Sequence, residues 1–436
     1  MARHIYLLHI PALNLIILAL CHFALAITPE VSIQCPWDPV SPFRLRGRSC
    51  PAPIDDDSES SANLAKTPWT HPPYCLSLAH VEDKLCVYSS SAFNDNAGIS
   101  IIAHPSTAAT LVQAVSNPVP AWYARQHIAH SPSTTTGPAK NVKYKVGTIP
   151  GKGKGVIATR HIDQFQTIMV SFPAMIVDNE LFPAEEDEGP VEGPRLFRKA
   201  LAQLTDRERF LGLARSREHQ SVDVVEDVIR TNAFGITTLD GRDAKGLYPE
   251  IAVTLNHGCD PNAYGRYTKG DLAMSAVATR DIEPGEEITI SYLPLGMPTT
   301  IRRKSLANWG FNCTCSLCSA PKEARDASDR RRERLVELYY AMREPDTEYD
   351  TLVELTREFV DIVQIERLFP KVGEYYQAFM KLYYDYGDVE SAYRYARTAL
   401  KFAETFADPE GGFCGGLRGD IRLLEDLLER GEYPQA

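Results

Sequence analysis

The chain has 436 residues, 44% hydrophobic and 24% charged, which excludes wholesale disorder and implies two or three domains rather than one. Lys and Arg number 46 against 57 Asp and Glu, a net charge of −11. That balance argues against direct nucleic-acid binding, because little would offset repulsion from phosphates, and it suits neutral or cationic partners.

Residues 1–26 read as a secretory signal peptide. Arg3 and His4 precede an apolar run from Leu13 to Phe23, and Ala24-Leu25-Ala26 provides a small-residue exit. The run is shorter than the roughly 20 residues that cross a bilayer, so no stable membrane span is expected. The expected address is the secretory pathway or the extracellular space, with nucleus or cytoplasm as the alternative if the signal is not used.

Residues 27–140 are expected to form a loop-rich module. Cys35, Cys50, Cys75 and Cys86 lie there in Pro/Ser-rich sequence; an oxidising compartment would let them form two disulfides in any of three pairings. The alternative is four unpaired thiols. Asp55 to Ser61 is a polar tract read as a solvated loop, Ile99 to Ile102 is β-prone, and Thr107 to Val115 reads as a helix. Ser131 to Pro138 is linker-like.

From Tyr144 to Val177 short β-branched runs alternate with Gly and Pro, and short strands resume from Ile251 to Tyr292. Between them a charged, helix-prone stretch interrupts the pattern. The assignment is an irregular β domain over 141–298 with a helical insertion at about 180–231, a cysteine-bearing segment over 299–322, and a helical domain over 323–436. In the last, Tyr375 to Phe406 shows two amphipathic stretches around Tyr386-Gly387-Asp388, a helix–turn–helix with tetratricopeptide-like spacing. Its aromatic stripe (Tyr376, Phe379, Tyr383, Tyr384) is read as packing between helices. The fold class is α+β.

Three features carry chemistry. Pro150-Gly151-Lys152-Gly153-Lys154-Gly155-Val156 lets backbone approach a ligand and present amides to an anionic group, although a tight hairpin would look the same. It lacks the Ser/Thr and following helix of a nucleotide P-loop. Next, Asn256-His257-Gly258-Cys259-Asp260-Pro261-Asn262 combines hydrogen-bonding side chains, a potential metal ligand and a turn. The third runs from Gly285-Glu286-Glu287 to Tyr292 and on to Trp309-Gly310-Phe311-Asn312-Cys313-Thr314-Cys315-Ser316-Leu317-Cys318. Three thiolates spaced C-x-C-x-x-C suit tetrahedral zinc, and Cys259 is the obvious fourth ligand. Unpaired or disulfide-bonded cysteines are the alternative, though thiols two apart rarely meet disulfide geometry.

This ordered set resembles a SET-domain protein lysine methyltransferase with a post-SET zinc site. It is similar to the SET and MYND domain type, closely over about 144–320 and loosely over the C-terminal helices. The resemblance implies S-adenosylmethionine as methyl donor, structural zinc, and a protein or peptide substrate bearing a lysine. It implies that Lys152, Gly153 and Lys154 line the cofactor, that Asn232 contacts it after the insertion, and that Asn256 and His257 hold it. It further implies Tyr292 at the methyl-transfer channel, Trp309 and Phe311 around the adenine, and Cys259, Cys313, Cys315 and Cys318 on zinc.

Four departures stand out. No cysteine-rich MYND finger is expected before or within the insertion, Gly258 stands where serine is usual, and Ile290 fills a channel position that is aromatic in many histone-directed members. The secretory leader is foreign to nuclear and cytosolic members. The competing reading is a non-catalytic SET-fold zinc scaffold that binds protein or peptide. A third is an extracellular disulfide protein whose Cys313, Cys315 and Cys318 never meet metal.

Overall fold

A computed structural model describes residues 67–117, 143–182, 193–213, 223–307 and 309–431. The expected signal peptide, Cys35 and Cys50 lie outside the described residues. Strands β1 (Tyr74–Ser77), β2 (Lys84–Ser90) and β3 (Ile99–Ala103) are followed by helix α1 (Pro105–Ser116). Strands β4 (Tyr144–Ile149), β5 (Gly153–Ala158), β6 (Thr167–Ser171) and β7 (Met175–Asp178) come next. The insertion supplies α2 (Gly193–Gln203), α3 (Arg207–Leu211) and α4 (Val224–Asn232).

The chain then returns to strands with β8 (Phe234–Thr237) and β9 (Asp243–Leu247), interrupted by α5 (Pro249–Thr254). β10 (Asn256–His257), β11 (Ala263–Thr268), β12 (Ala273–Ala278) and β13 (Glu287–Ile290) complete the β region. Ile251 to Thr254 is therefore helical rather than extended. Pro249 explains this: it sits at the first helical position, where its missing N–H costs nothing.

The strands form three sheets, ordered β1-β2-β3-β7-β9-β8, β10-β13-β5-β4 and β11-β12-β6. The first corrects the expected loop-rich module. Residues 74–103 share a sheet with the β domain, since β3 runs parallel to β7 in the register Ile101 to Ile176. The reason lies in alternation along β2. Cys86 and Tyr88 enter one core with the small sheets, while Leu85 and Val87 enter a second beneath α2 and α4 with Phe197 and Val228. Both faces are buried, so the segment has core of its own. Cys75 and Cys86 sit opposite each other across β1 and β2 and form a disulfide, which is one of the pairings open to the sequence.

After β13 the chain forms α6 (Thr299–Ala307), the short α7 (Ser316–Ser319) and the long α8 (Lys322–Ala341). Helices α9 (Tyr349–Ile365), α10 (Val372–Asp385), α11 (Val389–Phe406) and α12 (Gly412–Arg430) follow. The expected helix–turn–helix is α10–α11: Gly387 turns at a φ of 77°, and Asp388 accepts from the Ser391 amide as N-cap, at 2.9 Å. Phe379 and Tyr383 are buried and Tyr376 and Tyr384 half-buried in the helical core. The helical domain docks on the β region through Phe165, whose ring meets Phe402 and Phe406 edge-on at 5.6 and 5.7 Å. Among the described residues no helix is long and apolar enough to cross a membrane.

Candidate functional site

The site forms where two stretches of the chain, distant in sequence, meet side by side. β10 pairs in parallel with β13, Asn256 facing Thr289 and His257 facing Ile290, and the Gly258 amide donates to the Ile290 carbonyl at 2.8 Å. Asn262, which is buried, pins the crossing: its Oδ1 accepts from the Thr289 amide at 2.8 Å, and its Nδ2 donates to the Glu287 carbonyl at 2.9 Å. The sequence offered a signal for it, the Asn after Pro261, but composition alone gave it no role beyond a turn.

The glycine-lysine loop lies beside this crossing. Gly155 lies close against it: a Cβ there would sit 2.9 Å from Asn256 Nδ2 and 2.4 Å from an Ile149 side-chain carbon. That closeness lets the Asn256 amide donate to the Lys154 carbonyl at 2.9 Å and to Glu287 Oε1 at 2.9 Å. Lys152 Nζ donates to the other Glu287 oxygen at 2.7 Å. Glu287 thus ties the loop to the paired strands. Gly151 and Gly153 have φ of 75° and 78°, and a Cβ at either would meet nothing within 4 Å, so open space lies beside this backbone.

Tyr292 follows β13. Its amide donates to His257 Nδ1 at 3.0 Å, and its hydroxyl donates to the Leu255 carbonyl at 2.9 Å. Burial, with Glu287 adding to it, pushes the phenol up to about 12, so it stays protonated. Burial also drives the His257 imidazole down to about 4 against the opposing pull of Cys315, with Lys152 and Arg302 adding to the lowering. A neutral ring whose Nδ1 accepts must carry its proton on Nε2, which lies 3.2 Å from Cys259 Sγ. The paired strands are therefore wired to the cysteine cluster through one histidine.

The sulfurs of Cys259, Cys313, Cys315 and Cys318 all lie within 4.8 Å of one another. Cys259 Sγ is 3.9 Å from Cys313 Sγ and 3.5 Å from Cys318 Sγ. A zinc–sulfur bond of about 2.3 Å in a tetrahedron separates its sulfurs by roughly 3.8 Å, so the residues present fit that ion. Hydrogen bonding among the crowded sulfurs pushes the Cys259 and Cys313 thiols up and holds Cys315 and Cys318 down. Four such groups become thiolates together when a cation joins them.

Trp309 and Phe311 lie on the segment leading to these cysteines. The Tyr292 ring is 6.1 Å from Trp309 and 6.4 Å from Phe311, and 5.3 Å from His257. Phe311 is 37% exposed, so this aromatic wall keeps a solvent-facing surface on which a flat ring can stack. Asn232 closes α4 just before β8 and donates to the Val228 carbonyl at 2.8 Å; it belongs to the six-stranded-sheet side.

The residues brought together could hold a ligand with an anionic group and a flat ring. They offer amides and a lysine on the loop, a neutral phenol, and stacking rings. Residues 153–293 match the SET domain family. Histone-lysine N-methyltransferase set5 of Schizosaccharomyces pombe is 30% identical over 199 residues, 45% of this chain and 56% of that one. Human histone-lysine N-methyltransferase SMYD3 is 40% identical over 97 residues, 22% of each chain. Arabidopsis thaliana histone-lysine N-methyltransferase ATXR2 is 41% identical over 89 residues, 20% of this chain and 19% of that one. The chain spans about half the length of the first of these relatives and about a fifth of the others.

Proposed function

We propose that this chain, which carries a SET domain and has histone-lysine methyltransferase relatives, is an S-adenosylmethionine-dependent protein-lysine N-methyltransferase. The observation that carries the proposal is the parallel pairing of β10 with β13. It gathers the glycine-lysine loop, His257, the Leu255 carbonyl, Tyr292 and the aromatic wall around one place. S-adenosylmethionine, when bound, supplies a sulfonium-activated methyl for in-line displacement by a lysine ε-amine. The Lys152 ammonium and the open backbone at Gly151 and Gly153 would hold its anionic end, and Trp309 and Phe311 its adenine.

The chain's own work is alignment and charge control. A lysine side chain ordinarily titrates near 10.4 and must lose a proton before its lone pair can act. Buried surroundings disfavour the ammonium form and assist that loss. Tyr292 is not the base, because its phenol is neutral throughout the physiological range; the proton leaves to water. What Tyr292 does is fix the Leu255 carbonyl with its hydroxyl, so that two oxygens border the transfer site in a set geometry. Cys259, Cys313, Cys315 and Cys318 would hold zinc as four thiolates, and the ion's part would be structural rather than chemical.

Following its relatives' names, the substrate is a lysine of a histone or another basic protein, consistent with the net charge of −11. Calorimetry with purified chain tests the reading. Micromolar or tighter binding of S-adenosylmethionine is expected, and Tyr292→Phe should lower transfer at least tenfold with little change in melting temperature. No heat of binding would favour the zinc scaffold; full activity in Tyr292→Phe would remove the tyrosine's role. The secretory address expected from residues 1–26 is part of the proposal. Microscopy of the C-terminally tagged chain should show luminal staining, and nuclear or cytosolic staining overturns that part alone.

A further inference from the structure

The linker between Tyr292 and the zinc cysteines is gripped by the helical domain. The Met297 carbonyl accepts from Arg302 of α6 and, at 3.2 Å, from Arg332 of α8. The Thr299 amide and hydroxyl donate to Asp329 Oδ1 at 2.8 and 3.0 Å. Arg332, in turn, is locked from the end of α9: its Nε donates to Glu366 Oε2 at 2.8 Å, and both side chains are buried. Ser328 and Arg331 donate to the same carboxylate at 2.7 Å each. The next residue, Arg367, reaches the other arm of the zinc clamp, with its guanidinium 3.2 Å from Asp260, the neighbour of Cys259. Arg367 holds a φ of 53° to do so, a conformation that costs an L-residue of this size energy.

We infer that Glu366 and Arg367 are positioning residues. One corner of the helical domain holds both arms of the zinc clamp in register, and so sets the aromatic wall of the cofactor pocket. Glu366 acts through Arg332 on the segment that leads to Trp309, Phe311 and Cys313; Arg367 acts through Asp260 on the segment carrying Cys259. The helical domain is then part of the pocket's construction. This inference rests on the proposed cofactor site for its catalytic consequence, but the grip itself is read independently of any cofactor.

Hydrogen exchange on the full chain provides that independent reading. Arg367→Ala breaks a pair that is half solvent-exposed and leaves the fold intact. It should speed exchange over residues 256–262 and zinc loss to a chelator by about three- to fivefold, with the melting temperature nearly unchanged. Arg367→Lys should restore most of the protection. Glu366→Gln removes a buried charge partner and should accelerate the amides of residues 293–318 more than tenfold. If the wild-type chain binds S-adenosylmethionine, Arg367→Ala should raise its KM several-fold while kcat stays within twofold. Wild-type exchange over 256–262 in Arg367→Ala and over 293–318 in Glu366→Gln overturns the inference. A wild-type chain that binds no S-adenosylmethionine, with accelerated exchange in the variants, overturns the methyltransferase reading and leaves the grip standing.

Discussion

Gly258 shows how one atom's worth of space decides a residue. Its φ lies outside the left-handed region, so its backbone conformation does not demand glycine. A Cβ there, however, would lie 2.8 Å from Thr289 Oγ1 and 3.2 Å from Thr289 Cβ. Thr289 is β-branched, stiff about χ1, and fixed through its amide by Asn262, so it cannot yield. A larger side chain at this position is disfavoured by the threonine opposite. Gly258→Ser should therefore destabilise the chain by about 1–3 kcal/mol in denaturant unfolding, and Thr289→Ala in the same chain should recover most of the loss. Strictly additive effects would show that the two positions do not touch. Tyr292 makes the second residue-scale prediction. With its phenol near 12, the rate of methyl transfer should climb with pH as the substrate amine deprotonates, and Tyr292→Phe should lower that profile without moving it along the pH axis.

At the scale of elements, the metal clamp joins β10 to the segment before α8. Cys313→Ser should lower bound zinc below one ion per chain and reduce the melting temperature, because metal binding of this kind is coupled to folding; a wild-type chain without zinc in metal analysis would refute the cluster. The clamp was legible in the sequence, because C-x-C-x-x-C constrains three sulfurs locally and a fourth had to come from a short turn such as Cys259-Asp260-Pro261. The α10–α11 hairpin was legible for a similar reason: Tyr386-Gly387-Asp388 combines a left-handed turn with a cap. β2 was not. Its Ser89 and Ser90 read as loop, yet both are buried. Ser89 bonds Ser100 at 2.8 Å and Gln203 at 2.7 Å, and Ser100 donates to the Ala200 carbonyl at 2.9 Å. Gln203 and Ala200 come from α2, about a hundred residues away. Polar strand residues satisfied by tertiary contacts leave no local mark. Asn262 and Arg367 escaped for the same reason, since each acts on a distant segment.

At the scale of the whole molecule, the junction of the β region and the helices holds three buried charged residues, Arg302, Arg332 and Glu366, and acid should find the carboxylate among them. Burial alone would raise the Glu366 pKa. The Ser328 hydroxyl and the Arg332 and Arg331 guanidiniums outweigh it and hold the carboxyl below its ordinary value near 4.5. A carboxyl depressed on folding adds stability that is complete above its unfolded pKa and is lost as pH falls through the folded one. The wild-type melting temperature should thus decline as pH drops below about 4.5, with part of the slope belonging to Glu366. Glu366→Gln should melt lower at neutral pH, because Arg332 is left buried with one charge partner fewer, and its acid limb should be shallower. The two curves should draw together toward low pH, where the wild-type glutamate is itself neutral. Glu286, held down by Arg280, and Glu358, held down by Arg334, contribute their own acid slopes in both chains and cancel in the difference. Curves that stay parallel from neutral to acid would mean that the Glu366 charge does not support the junction, and the corner joining helices to clamp would then rest on shape alone.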